Sequence, residues 1–96
     1  MVQQVIITSE TSVALKPLLE AAIRSEMKML EYGIRRTREQ LAKFENQHGM
    51  KSEEFERRFK AREIGETLEF IDWWMEVEAL HMLEGKYQAL HNVRLG

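Results

Sequence analysis

A nearly unbroken set of apolar residues recurs at alternating steps of four and three through the middle of this chain. Its members are Ile23, Met27, Leu30, Ile34, Thr37, Leu41, Phe44 and His48, of which only Thr37 and His48 are polar. This alternation is typical of a helix that packs lengthwise against another helix. Pro17 is acceptable in a first helical turn, and Gly49 suits a left-handed C-terminal cap. The pattern therefore predicts one long helix over residues 13–48.

A second seam of the same kind lies in the last third of the chain. Its members are Phe70, Trp73, Val77, Leu80, Leu83, Tyr87 and Leu90. Thr67 is a suitable N-cap, so this seam predicts a second long helix over residues 67–92. Further apolar residues lie off the seam, namely Ile71, Trp74, Met75 and Met82. A helix that is apolar on more than one face is usually covered by more than one neighbour.

A short helix over residues 53–62 is predicted between the two long ones. Ser52 has the residue type of an N-cap, and Gly65 is expected to end the segment. Phe55 and Phe59 are four residues apart, so they share the face that packs on the core.

The first residues of the chain predict a β-strand over 1–8, because Val2, Val5, Ile6 and Ile7 are β-branched. A single strand cannot satisfy its own backbone groups, and no second convincing strand follows. We therefore expect this strand to pair with another copy of the chain or with a different protein.

Together these elements predict a mainly α fold in one domain, residues 1–96. We expect a long antiparallel, coiled-coil-like helical hairpin with a short connecting helix and an N-terminal strand. Because apolar surface is left over, we also expect a dimer or another partner protein.

Composition excludes several classes of protein. With 96 residues the chain is long enough for one core only, and with no cysteine it has no disulfide framework, zinc knuckle or thiol nucleophile. No apolar run approaches the roughly 20 residues of a membrane span, and the N-terminus lacks the pattern of a signal peptide. The expected compartment is the cytoplasm.

The net charge of −2 conceals two unlike blocks of sequence. Residues 16–62 carry 12 Lys and Arg against 8 Asp and Glu, whereas residues 63–85 carry 7 acids and no Lys or Arg. Such a chain either folds its basic and acidic parts together, which we favour, or recruits a charged partner.

Catalytic and metal chemistry find little support in the sequence. Glu45-x-x-His48 and Glu78-x-x-His81 have the spacing found in di-iron bundles, but an antiparallel hairpin places the two pairs far apart. No glycine-rich elbow or phosphate loop is present. We therefore predict no enzyme activity and no cofactor.

Two arginine clusters are candidate nucleic-acid contacts. They consist of Arg35, Arg36 and Arg38 on the first helix, and of Arg57, Arg58 and Arg62 on the connecting segment. Arginine suits phosphate contacts, but the isoelectric point near 5.9 argues against a nucleic-acid-binding domain. A DNA-binding transcriptional regulator is thus an alternative that we do not favour.

The connecting region carries a family resemblance that extends over nearly the whole chain. The residues concerned are Gly49, Met50, Ser52, Glu53, Glu54, Phe55, Phe59, Gly65, Phe70 and Trp73 or Trp74. They resemble the Gly-Met-x-Ser-Glu-Glu-Phe pattern of small archaeal and bacterial helical-hairpin proteins. Two departures are Glu66-Thr67, in place of an acidic pair, and the doubled tryptophan. The resemblance implies an antitoxin-like partner in TumE-type toxin–antitoxin pairs, which acts by binding rather than catalysis.

This hypothesis assigns roles to residues already singled out. The strand would add to a sheet edge, and the acidic stretch would cover a basic RNA-binding surface of a nuclease. The partner-binding candidates are Val5, Ile7, Glu63, Glu66, Glu69, Phe70, Asp72, Trp73, Trp74 and Glu76. For the aromatic residues among them we favour a place in the core, because aromatic residues at helical spacing are more often core than partner anchors. A homodimeric structural scaffold is the other alternative.

Overall fold

The computed structural model describes residues 3–6, 8 and 14–95 of the chain. Its elements are β1 (Gln3–Val5), α1 (Leu15–His48), α2 (Ser52–Lys60), α3 (Leu68–His91) and β2 (Val93–Leu95). The predicted mainly α hairpin is confirmed, because α1 and α3 pack lengthwise in an antiparallel pair and α2 connects them. The molecule is a rod with extents of 58 × 22 × 18 Å.

The heptad seams are the faces on which the two long helices meet. Leu30, Thr37 and Leu41 of α1 are buried, as are Trp73 and Val77 of α3. The remaining seam residues of both helices are half-buried. The periodicity therefore identified the inner face of each helix.

Glycine serves two different purposes in the hairpin. Gly49 has φ +62°, and its N–H donates to the Glu45 carbonyl, as expected for a left-handed cap that ends α1. Gly33 lies inside α1 opposite Leu83, whose Cδ1 would be 3.4 Å from a Cβ at position 33. The first glycine allows the chain to turn, and the second lies at a close contact between the helices.

The main core lies at the end of the rod where α1 leads into α2, which we call the turn end. Its buried members are Leu41, Phe55, Trp73 and Val77. Phe55 stacks on Trp73 with ring centroids 3.9 Å apart. Phe44 of α1 also stacks on the indole, with ring centroids 5.5 Å apart. Aromatic stacking adds to the free energy gained by burial, so Phe55 is the main contact that holds α2 against α3.

Ser52 does not cap α2, contrary to the sequence prediction. Its hydroxyl accepts a hydrogen bond from the indole Nε1–H of Trp73 at 3.1 Å. Its own backbone N–H donates to the carboxylate of Glu45 on α1 at 2.8 Å. The first backbone N–H of α2 is therefore satisfied by a side chain of another helix. Thr67, by contrast, caps α3 as predicted, by accepting from the N–H of Phe70 at 3.1 Å.

The connecting helix ends earlier than predicted. It stops at Lys60 rather than at residue 62, and Arg62, not Gly65, has the left-handed φ of 59°. Steric contacts of the Cβ make this conformation slightly unfavourable for a residue other than glycine.

The expectation of a strand without a partner in its own chain is wrong. Strand β1 pairs in parallel with β2, with Gln3 opposite Val93 and Val5 opposite Leu95. The partner strand is the three-residue continuation of α3 after Asn92. We call this end of the molecule the strand end.

Candidate partner-binding surface

Of the aromatic candidates, Trp73 belongs to the core. It is fully buried, lies between phenylalanine rings and donates its only polar hydrogen to Ser52. In this fold the Trp73 side chain therefore cannot contact a partner protein, and it belongs to the core.

Phe70 and Trp74 are half-buried and occupy the rim of the same cluster. Phe70 packs at a tilt on Phe55, with centroids 5.8 Å apart. Trp74 stacks on Phe59 at 5.2 Å, and the ammonium of Lys60 lies 5.6 Å from its ring centroid. Both rings mainly secure α2 to α3, and they expose only part of their surface.

The acidic candidates divide into paired and unpaired groups. Glu69 lies 3.3 Å from Nε2 of His48 on α1, which is a contact between the two long helices. Asp72 is exposed and Glu76 half-buried on α3. Among the described side chains, residues 4–6, 8 and 14–93, neither makes an ion pair, and the same holds for Glu63 and Glu66 between α2 and α3.

A second apolar stripe on α3 completes this surface. It comprises Leu68, Ile71, Met75 and Met82, which recur at steps of three, four and seven and so share one helix face. Leu68 is 82% exposed, Met75 62% and Met82 55%. We call these four residues the outer α3 face. Three of them were recognised in the sequence as lying off the inner seam, whereas Leu68 was not, because it stands beside the cap Thr67.

Acidic side chains border the outer α3 face. Asp72 and Glu76 lie within its span, and Glu78, between Met75 and Met82, is exposed on the same helix. No Lys or Arg occurs from residue 63 to residue 85. The surface therefore combines an apolar stripe with acidic side chains, of which Asp72 and Glu76 lie beside the stripe and Glu78 lies between Met75 and Met82.

An ion pair between Arg38 and Glu84 joins the basic and the acidic block across the hairpin. Nearby, the hydroxyl of Tyr87 donates to Glu31 at 3.0 Å. This hydrogen bond raises the pKa of Tyr87 above its ordinary value.

Glu56 on α2 is the other group with a perturbed pKa. Burial opposes its ionisation, but hydrogen bonds from Lys60 and from His81 outweigh this effect and lower its pKa. The His81 contact, at 3.0 Å, joins α2 to α3.

The arginine candidates are less available than the sequence indicated. Arg57 and Arg58 both pair with Glu54, and Arg38 is engaged with α3. The remaining ones, Arg35, Arg36 and Arg62, are exposed. The two clusters also belong to different helices, α1 and α2, apart from Arg62, which follows α2.

Val5, a strand candidate, lies at the opposite end of the molecule from the aromatic candidates; it is in β1 and is exposed. The other strand candidate, Ile7, lies outside the described residues. The structure therefore does not bring Val5 onto one surface with the candidates of α3.

Three residues of the two Glu-x-x-His pairs make contacts between helices. Glu45 accepts from the α2 backbone, His48 stacks on Trp73 at 5.4 Å, and His81 faces Glu56. Within the described ranges, no group of three or more His, Asp or Glu side chains is placed to hold a metal ion. No helix of the described residues combines the length and apolar character of a membrane span.

Comparison with known proteins adds no family. No protein-family model matches the chain, and neither a curated protein nor a solved structure matches it.

Proposed function

We propose that this protein is a non-catalytic binding module that neutralises a small basic partner protein, in the manner of an antitoxin. The observation that carries the proposal is the outer α3 face with its acidic border. The resemblance of the connecting region to antitoxin-like proteins of TumE-type pairs supports the same role.

The apolar part of the surface supplies the affinity. Met75 and Met82 each expose more than half of their side-chain area although α3 already buries its inner face against α1. Several large apolar side chains exposed along one helix face favour a protein-interaction site. Methionine adapts its shape to a partner, and burying one such side chain contributes about 1.5–3 kcal/mol.

The charged part selects the partner. Asp72 and Glu76 make no ion pair with the side chains that the structure describes, residues 4–6, 8 and 14–93, so their charges remain available to a partner. Complementary charge speeds association and penalises wrong partners. A second copy docked on this face would bring acids against acids, so the favoured occupant is a basic protein with an apolar groove. A nuclease with a basic RNA-binding surface fits that description.

Co-expression with the product of the adjacent gene tests the function. We expect the two proteins to co-purify and the chain to relieve growth inhibition by its neighbour. Absence of both effects would overturn the antitoxin role.

Surface variants test the site. The double variant Met75→Ser/Met82→Ser and the single variant Asp72→Lys should each weaken binding at least about tenfold. Tyr32→Ser and Glu39→Lys are matched controls, because both residues are exposed on α1 and lie away from the outer α3 face. Equal loss in variants and controls would contradict this location of the site.

A further inference from the structure

The two long helices differ in length, so one of them projects beyond the other. The contacts of Glu31 with Tyr87 and of Gly33 with Leu83 define how α1 and α3 align. By this alignment His91, the last residue of α3, lies level with about residue 27 of α1. Residues 15–26 therefore extend past α3 by about 18 Å, at a rise of 1.5 Å per residue. We call them the projecting segment.

The apolar seam of α1 continues into the projecting segment. Leu15, Leu19 and Ile23 are half-buried, as are Met27 and Ile34 farther along the seam, whereas Leu30 and Leu41, opposite α3, are 5% exposed. Leu18, on the neighbouring face, is 56% exposed. The projecting segment thus has a helix-packing surface, and no helix among the described residues is packed lengthwise on it.

The β1–β2 sheet at the same end could also form hydrogen bonds with a further strand. Each strand has three residues, and the two form a two-stranded sheet. So small a sheet is marginal by itself, and the outer edge of each strand presents backbone groups that another strand can use.

The charges of this region favour a second copy of the chain as the occupant. Within residues 15–26 two cations, Lys16 and Arg24, alternate with two acids, Glu20 and Glu26. A segment with balanced, interspersed charge does not repel a copy of itself, and it offers no net attraction to a strongly basic or acidic partner. This distinguishes the projecting segment from the outer α3 face, whose border is acidic.

We propose that two copies of the chain associate through the strand end, with their projecting segments packed antiparallel about a two-fold axis. An isologous contact of this kind lets each apolar segment cover the other, and it brings the open strand edges of both copies to one place. The dimer itself is independent of the proposed function. It leaves both outer α3 faces exposed, so together with the proposed function it makes the protein a bivalent binder.

The oligomeric state of the full chain tests this proposal. Light scattering after size exclusion should give twice the chain mass of 11.4 kDa, and a monomer at 100 μM would overturn the proposal. Leu18→Glu should raise the dimer dissociation constant on the order of 100-fold, because dimerisation would bury a charge.

Met82→Glu is the matched control, since Met82 is 55% exposed and Leu18 56%. It should leave the dimer intact, with helicity monitored by circular dichroism in both variants. If Leu18→Glu loses helicity, Ala22→Arg, at another exposed position of the projecting segment, replaces it. Dissociation by Met82→Glu but not by the projecting-segment variant would overturn the assignment of the interface.

Discussion

The hydrogen bond between Trp73 and Ser52 offers the sharpest test of the fold. The indole is fully buried, and the serine is 7% exposed. Replacing Ser52 by alanine removes the acceptor and hardly changes the volume, so the indole N–H is left buried without a partner. Such an unsatisfied donor costs about 1–3 kcal/mol. A loss of about 2 kcal/mol is a large part of the stability of a domain of this size and lowers Tm by about 10 °C.

A double-mutant cycle isolates this contribution. Urea unfolding is followed by far-UV circular dichroism for the unmodified chain, Ser52→Ala, Trp73→Phe and the double variant. Phenylalanine has no N–H, so in that background Ser52→Ala should cost less than about 0.5 kcal/mol. The coupling free energy between the two sites should then be about 1 kcal/mol or more.

The alternative is the capping role that the sequence predicted for Ser52. A cap would lose the same free energy in both backgrounds, because it does not depend on Trp73. Aspartate is an equally good cap, so Ser52→Asp would then be tolerated. The structure instead predicts that Ser52→Asp is destabilising, because it places a carboxylate at a buried site. Equal costs in both backgrounds, or a fully stable aspartate variant, would refute the reasoning.

Three further predictions concern backbone, pH and surface charge. Gly49→Ala should destabilise by about 1 kcal/mol because φ is +62°, whereas Gly85→Ala, in α3 with open space around it, should stabilise by up to about 1 kcal/mol; thermal unfolding compares the two. The lowered pKa of Glu56 means that its stabilisation is complete above its ordinary value of 4.5 and is lost as pH falls through the lower value in the folded state. Glu56→Gln should therefore have its largest effect on urea unfolding above pH 5 and little effect in strong acid. Arg38→Ala should cost less than about 1 kcal/mol despite the ion pair with Glu84, because both side chains are solvent-accessible, and 0.5 M salt should reduce that cost.

The long helices were predictable because their signal is repeated over many turns. The predicted spans 13–48 and 67–92 correspond to Leu15–His48 and Leu68–His91. The second strand was not predictable, since Val93–Leu95 is too short to show alternation and is recognised only by its pairing with β1. Ser52 shows a different limit, because a local capping signal cannot reveal that a buried indole 21 residues away takes the hydroxyl.

The sequence alone identifies the charge of the candidate surface, because the acids of α3 can be read directly from it. It does not identify which apolar residues are exposed, because α3 carries two apolar stripes and both fit a helical period. Periodicity indicates that both exist, but the packing of α1 and α2 decides that Trp73 is interior and Met75 exterior. Leu68 was not predictable for a different reason. It is the first residue of α3, so no earlier residue of the helix shows that it continues the stripe.

The unequal distribution of core along the rod has a consequence for local unfolding. The turn end holds Phe55 and Trp73, with no exposed side-chain area, whereas Leu15 and Leu19 at the other tip of α1 are half-buried. Amide hydrogen exchange should therefore be slowest around the turn end and progressively faster toward the start of α1. The outer α3 face begins beside the slowly exchanging part and so rests on the most persistent section of the molecule, while protection at the far tip should rise with protein concentration.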